Sequence, residues 1–261
     1  MRTSIHDLTQ MKQDGERIAM LTCYDYTSAK ILDSAGVPVL LVGDSLGMVV
    51  LGHESTLPVT MEMMIHHCQA VARGAKDALI IFDMPFATYS AFDTFTSLKN
   101  AARGLAEGGA QAVKIEGGAR MAPVVAALVG AGIPVMGHIG LTPQSVNQFG
   151  GYKMQGRDDA SRRRLLADAL ELESAGAFAV VLEVIPADLG KTISSRLKIP
   201  TIGIGAGKEC DGQVQVFHDV FGLYEDFVPK HTRRYATLAD TLRQAAGAYM
   251  TDVKSRKFPE K

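Results

Sequence analysis

Short, almost wholly apolar runs punctuate this chain at regular intervals. Longer stretches lie between them, in which apolar residues recur every three or four positions. The runs fall at 18–24, 37–43, 78–82, 112–116, 133–137, 178–182, 199–204 and 213–217. Val/Ile/Leu-rich runs of this length, flanked by Gly or Pro, predict parallel strands buried on both faces. The intervening stretches predict helices at 60–74, 92–107, 120–131, 158–175, 187–197 and 237–253, with a short one at 7–12. Another begins at Asp25, an N-cap residue, and stops at Gly36; Thr60 and Asp158 serve as further N-caps. Two connections, 46–59 and 141–157, carry Gly and Pro and are long enough for loop statistics to suggest function. Eight strands alternating with helices, at about 33 residues per unit, predict an α/β fold, a (βα)8 TIM barrel. An open doubly wound sheet is the alternative. No linker or shift in composition divides the chain. The expected domain is one barrel over 1–261, with a short N-terminal helical extension and a C-terminal helix.

Polar residues interrupt the pattern at the strand ends. Asp44, Asp83, Glu116, His138 and Glu183 each close or follow an apolar run, and in a parallel barrel all strand C-termini gather at one mouth. Lys114 and Glu116 are two apart, so both leave the same face of the fourth strand. A buried cation and carboxylate are costly unless they pair, bind a metal or meet a charged ligand. A structural Lys114–Glu116 ion pair therefore stands beside a role for Lys114 in holding a carboxylate or enolate oxygen, or in a Schiff base. Asp25, Asp44 and Asp83, taken singly, are also good helix caps. As a set, crowded carboxylates repel unless a cation neutralises them. Oxygen ligands without thiolate point to a hard divalent ion such as Mg²⁺, with Mn²⁺, Co²⁺ or Zn²⁺ as substitutes. His138 is a candidate acid–base group that could equally be structural. Gly203-Ile204-Gly205-Ala206-Gly207 resembles a phosphate loop but lacks G-x-G-x-x-G, and so predicts close backbone approach at the mouth instead.

Composition narrows the partners. Hydrophobic residues make up 47% of the 261 and charged ones 21%, with a net charge of -1 and scattered Lys and Arg, which selects neither nucleic acid nor an anionic membrane. No apolar run reaches a membrane span, and the first residues lack the apolar segment of a signal peptide. Cys23, Cys68 and Cys210 show no C-x-x-C spacing and are expected to be reduced, in keeping with an expected cytoplasmic location.

Several stretches carry a more specific pattern: Gly43-Asp44-Ser45-Leu46-Gly47-Met48-Val49 with Gly52-His53; Ser55-Thr56-Leu57-Pro58-Val59-Thr60; Val113-Lys114-Ile115-Glu116-Gly117-Gly118; Gly137-His138-Ile139-Gly140-Leu141-Thr142-Pro143-Gln144-Ser145-Val146; Gly150-Gly151-Tyr152-Lys153; and Ile202-Gly203-Ile204-Gly205-Ala206-Gly207 with Asp211-Gly212-Gln213. Together, and in order from about Asp7 to beyond Gly222, they resemble the ketopantoate hydroxymethyltransferase family. The K-K-C-G-H motif of related lyases is absent. The resemblance implies a barrel of the phosphoenolpyruvate/pyruvate superfamily type, a homodecamer built as two rings of five (a pentamer of dimers), and one Mg²⁺ per subunit. It implies an enzyme that moves a hydroxymethyl group from 5,10-methylenetetrahydrofolate to 3-methyl-2-oxobutanoate, giving 2-dehydropantoate and tetrahydrofolate in pantothenate synthesis. By the same resemblance Asp44, Asp83 and Glu116 hold the metal. Asp44, Ser45, Asp83 and Lys114 bind the oxo acid, and Glu183 is the proton acceptor. Lys114 and His138 complete the catalytic candidates.

Overall fold

The computed structural model describes residues 1–260 and divides into two compact units, Met1–Val214 and Gln215–Lys261. The first is built on eight strands: β1 (Ile18–Thr22), β2 (Val39–Val42), β3 (Leu79–Asp83), β4 (Ala112–Glu116), β5 (Val135–Gly140), β6 (Ala179–Glu183), β7 (Thr201–Ile204) and β8 (Gly212–Gln215). They pair in chain order and close into a barrel, which settles the choice against an open sheet. Helices α1 (Ile5–Asp14), α2 (Tyr26–Ser34), α3 (Leu46–Val49), α4 (Met61–Gly74), α5 (Thr94–Ala106), α6 (Ala122–Gly130), α7 (Val146–Phe149), α8 (Asp159–Ser174) and α9 (Ala187–Arg196) complete this unit. The second unit holds α10 (Phe217–Val220) and α11 (Leu238–Lys254). Among the described residues no helix is long and apolar enough to cross a membrane.

The helix starts follow local chemistry. The side chains of Asp25, Thr60 and Asp158 accept from the backbone N–H of Ser28, Met63 and Ser161, satisfying donors that have no partner within the helix. Four expectations need correction. The fifth strand runs on to Gly140, so His138 lies inside it rather than beyond it. The eighth begins at Gly212 and stops at Gln215, and Phe217 opens α10. A Cβ on Gly212 would stand 2.5 Å from the Ile18 carbonyl oxygen, and this close approach lets β8 close against β1. The helix expected over 120–131 is a 3-10 turn, Ala119–Met121, followed by α6, with Pro123 in its first turn, where a missing N–H is harmless. Both long connections contain helical turns, α3 in one and α7 with the 3-10 turn Pro143–Ser145 in the other.

The interior of the barrel decides where charge can go. Ile18, Met20, Val39, Leu41, Leu79, Ile81, Ala112, Met136, Ala179, Val181, Ile202 and Val214 form one buried cluster, with Leu8 of α1 packed into it. Because side chains alternate along a strand, the next inward positions after Ile81, Ala112, Met136 and Val181 are Asp83, Lys114, His138 and Glu183, with Glu116 one step further on β4. Layers of apolar side chains thus give way to a charged layer at the C-terminal rim.

Candidate active site

Strand register turns this layer into a specific set of neighbours. Asp83 lies opposite Lys114, and Glu116 opposite His138. Neighbouring strands are about 4.8 Å apart, whereas residues two apart on one strand are separated by about 6.6 Å. Lys114 therefore turns sideways. Its ammonium donates to Asp83 Oδ1 at 2.6 Å, so the Lys114–Glu116 pair considered from sequence is replaced by Lys114–Asp83. The helix-cap reading of Asp44 and Asp83 also fails. Asp83 Oδ2 accepts from the backbone N–H of Asp44 at 3.4 Å, and Asp44 Oδ2 accepts from Gln144 Nε2 at 2.9 Å.

Asp44, Asp83, Lys114, Glu116 and His138 are each 5% exposed or less, so their charges act on one another with little screening. Burial, and after it the carboxylates of Asp83 and Glu116, push Asp44 up to about 8 against the opposing pull of Lys114 and Gln144. Burial works against the Lys114 charge, but Asp83, Glu116 and Asp44 outweigh it and hold the ammonium well above its ordinary value. His138 lies between two carboxylates, Nδ1 at 3.3 Å from Glu116 and Nε2 at 3.1 Å from Glu183. Neither nitrogen is aligned for a hydrogen bond, and Glu116 Oε1 has no hydrogen-bond partner at all. Charge attraction needs no such alignment. Burial and the Lys114 charge oppose protonation of the imidazole, but the two carboxylates outweigh them and push His138 up to about 9.

Two residues that the sequence did not single out join the carboxylates. Gln144, in the 3-10 turn after β5, donates through its backbone N–H to Glu116 Oε2 at 3.1 Å and through Nε2 to Asp44 and to the Met84 carbonyl. Tyr89 donates to Gln144 Oε1 at 2.7 Å and accepts from the Glu116 backbone N–H at 2.9 Å. Gln144 sits within a stretch that carries the family resemblance, but an amide names no role until its partners are visible. Tyr89→Phe removes the donor to Gln144 and the acceptor for Glu116. It is expected to destabilise the protein by about 1–2 kcal/mol, read from chemical denaturation.

The rim carries the remaining candidates. Ser45 follows Asp44 and shares a 2.9 Å hydrogen bond with Tyr24. Glu183 closes β6, and its side chain is 16% exposed. The next residue, Val184, has φ 46°, a left-handed conformation that a β-branched residue rarely adopts. Hydrogen bonds hold this turn: Leu141 N–H to the Glu183 carbonyl at 2.8 Å and Val184 N–H to the Ile204 carbonyl at 2.8 Å. Above it, Tyr152 of the second long connection reaches Met48 of the first at 4.0 Å. Burial, then Glu183, Asp44 and Glu116, raise the Tyr152 phenol, which places it over the same cluster.

Among the described residues no three His, Cys, Asp or Glu side chains stand in a metal-holding arrangement; Asp83 is engaged by Lys114 and Asp44 by Gln144. The donor chemistry nevertheless fits a hard divalent cation. Asp44, Asp83 and Glu116 place three carboxylates around a single lysine, burial and the neighbouring carboxylates hold Asp44 against ionisation, and Glu116 Oε1 is buried without a hydrogen-bond partner.

Comparison with known proteins identifies the family. The ketopantoate hydroxymethyltransferase family model matches residues 2–261. The chain is 59% identical over 259 residues to the 3-methyl-2-oxobutanoate hydroxymethyltransferase of Chloroflexus aggregans, covering 99% of this chain and 92% of that protein. It is 56% identical over 259 residues to the protein of the same name from Carboxydothermus hydrogenoformans, covering 99% and 94%. Among solved structures, phosphonopyruvate hydrolase in complex with oxalate and Mg²⁺ is similar with a TM-score of 0.60 at 13% identity, over 98% of this chain and 87% of that one. A 2,3-dimethylmalate lyase of the PEP mutase/isocitrate lyase superfamily gives 0.58 at 16% identity, over 100% and 90%. Identities this low establish a shared barrel fold and no more. Identity above one half along nearly the whole length establishes descent, and the chain belongs to the ketopantoate hydroxymethyltransferase family.

Proposed function

We propose that this enzyme transfers the one-carbon unit of 5,10-methylenetetrahydrofolate to C3 of 3-methyl-2-oxobutanoate through an enolate. The observation that carries the reading is the buried rim: a carboxylate on β6, Glu183, facing a cluster with one fixed ammonium, Lys114, and three further carboxylates. Glu183 takes the C3 proton. Lys114, aided by Ser45, holds the oxo acid on the Asp44–Asp83 side and offsets its charge. A divalent cation held by Asp44, Asp83 and Glu116 would supply Lewis-acid stabilisation of the charge developing on the keto oxygen. The enolate carbon then bonds to the folate methylene carbon, both methylene–nitrogen bonds break, and water provides the hydroxyl oxygen. The abstracted proton and the second water proton return to the two folate nitrogens, giving 2-dehydropantoate and tetrahydrofolate. His138, between Glu116 and Glu183, keeps the base oriented.

Turnover of the oxo acid with methylenetetrahydrofolate, with and without chelator, tests the reading. Product formation that stops with chelator and returns with Mg²⁺ is expected; absence of 2-dehydropantoate overturns it. A homodecamer is part of the same proposal. Its support is the resemblance, together with α11, which has no buried residue and exposes Leu242, Tyr249 and Met250.

The same charges predict a pH dependence. Asp44 and His138 both sit above their ordinary values of 3.8 and 6.5, so each contributes stability that is complete below that value and lost as pH rises through about 8 and about 9. Chelator-treated protein is therefore expected to melt at lower temperature near pH 9 than near pH 6. Excess Mg²⁺ should narrow the gap by favouring ionised Asp44. A flat profile, or one indifferent to Mg²⁺, contradicts the assignment.

A further inference from the structure

Two clefts adjoin the rim and share Arg120 and Ser145. One, of about 400 Å³, opens on Glu116, Tyr89 and Gln144 beside the exposed rings of Phe86 and Phe92. The other, of about 350 Å³, starts at Gly140 and Thr142 and runs outward to Gln155 and Arg164. Gly140 is the register neighbour of Glu183, so this second cleft begins beside the proposed base.

Two glycines at its inner end let neighbouring side chains pack close. Gly117, at φ 121°, and Gly118 follow Glu116 directly. A Cβ on Gly117 would meet Met121 at 2.6 Å, and one on Gly118 would meet Asp168 at 2.1 Å. Arg120 folds back towards Gly117, its Nε 3.5 Å from where a Gly117 Cβ would stand. Across the cleft is Arg164 of α8. Among the described residues neither guanidinium has a hydrogen-bond or ion-pair partner. The one carboxylate in the lining, Asp168, already accepts from the Ala119 N–H at 2.7 Å. A cleft with Ile139, Phe149 and Leu165 in its walls, two unengaged guanidinium groups and one carboxylate already bonded fits a flat aromatic group that ends in carboxylates.

A reduced folate has that shape on the far side of its reactive carbon: an aminobenzoyl ring, then a glutamate with two carboxylates. We infer that the second cleft binds the aminobenzoyl-glutamate arm of the one-carbon donor, with Arg120 and Arg164 holding its carboxylates. This rests on the reading of the donor as a folate. The arm enters beside Gly140, which leaves the methylene carbon over the face that Glu183 deprotonates.

Arg120→Ala and Arg164→Ala separate the two claims, because exchange of the oxo-acid C3 proton with deuterated water needs no folate. Each variant is expected to raise KM for methylenetetrahydrofolate about tenfold, the loss of one charged contact. C3 exchange and KM for the oxo acid should stay within about twofold. Arg164→Lys should recover part of the loss, and any preference for triglutamate over monoglutamate donors should shrink in the Ala variants. Unchanged folate KM in both Ala variants overturns the subsite. Wild-type protein that exchanges no C3 proton overturns the transferase reading instead.

Discussion

Glu183→Gln is expected to lower kcat by about 10³-fold and to abolish exchange of the oxo-acid C3 proton with deuterated water, while oxo-acid binding changes only a few-fold. The size of the effect follows from geometry. Glu183 is the one inward carboxylate of the rim with neither a lysine nor an amide donor against it, its near neighbour being His138 Nε2 at 3.1 Å. It is therefore free to accept a proton. The amide keeps the shape and the carbonyl oxygen but cannot take the proton, so a loss confined to the chemical step is the signature of a base. Substrate-proton exchange persisting at the wild-type rate would reassign the role, and His138 would be the next group to test.

Much of this rim is legible in the amino-acid sequence, for a reason particular to barrels. Asp83, Lys114, His138 and Glu183 lie at or near the ends of apolar runs, and closure of a parallel sheet sends every such end to one mouth. What the sequence could not show is which residue faces which. Lys114 and Glu116 share a face, yet Lys114 pairs with Asp83, because register between β3 and β4 is a long-range property. Gln144 was hidden for a related reason. It lies beyond its strand in an irregular turn, and its contacts to Asp44 and Glu116 span 100 and 28 residues. The strained turn at Val184 carried no local sign, since valine is a strand former that ordinarily avoids positive φ. The sequence places the end of β5 at Gly137 because a glycine reads as a stop. A Cβ on Gly137 would meet Leu172 at 2.8 Å, so this glycine admits a close neighbour, and the strand runs on to Gly140, where φ is 97° and a Cβ would meet the Glu183 carbonyl oxygen at 2.2 Å.

Lys114→Met should carry the largest stability penalty of any single change at the rim, about 3–5 kcal/mol by urea denaturation at neutral pH, together with loss of turnover. The lysine is 4% exposed and is the fixed cation among Asp83, Glu116 and Asp44, so its removal strands Asp83 in the interior without its ion-pair partner. Two further measurements show whether charge, rather than packing, is responsible. First, Asp83→Asn combined with Lys114→Met should cost clearly less than the sum of the two single changes, because the pair is removed as a unit. Second, the deficit of Lys114→Met should grow as pH rises through about 8. Lys114 pulls against the upward push on Asp44, so without the lysine that carboxyl keeps its proton to higher pH and its ionisation costs the variant more than the wild type. Turnover should recover in neither case, since a rim without its ammonium no longer holds the oxo acid. A deficit of under about 1 kcal/mol, or one that grows on acidification, would show that Lys114 is not the charge on which the rim depends.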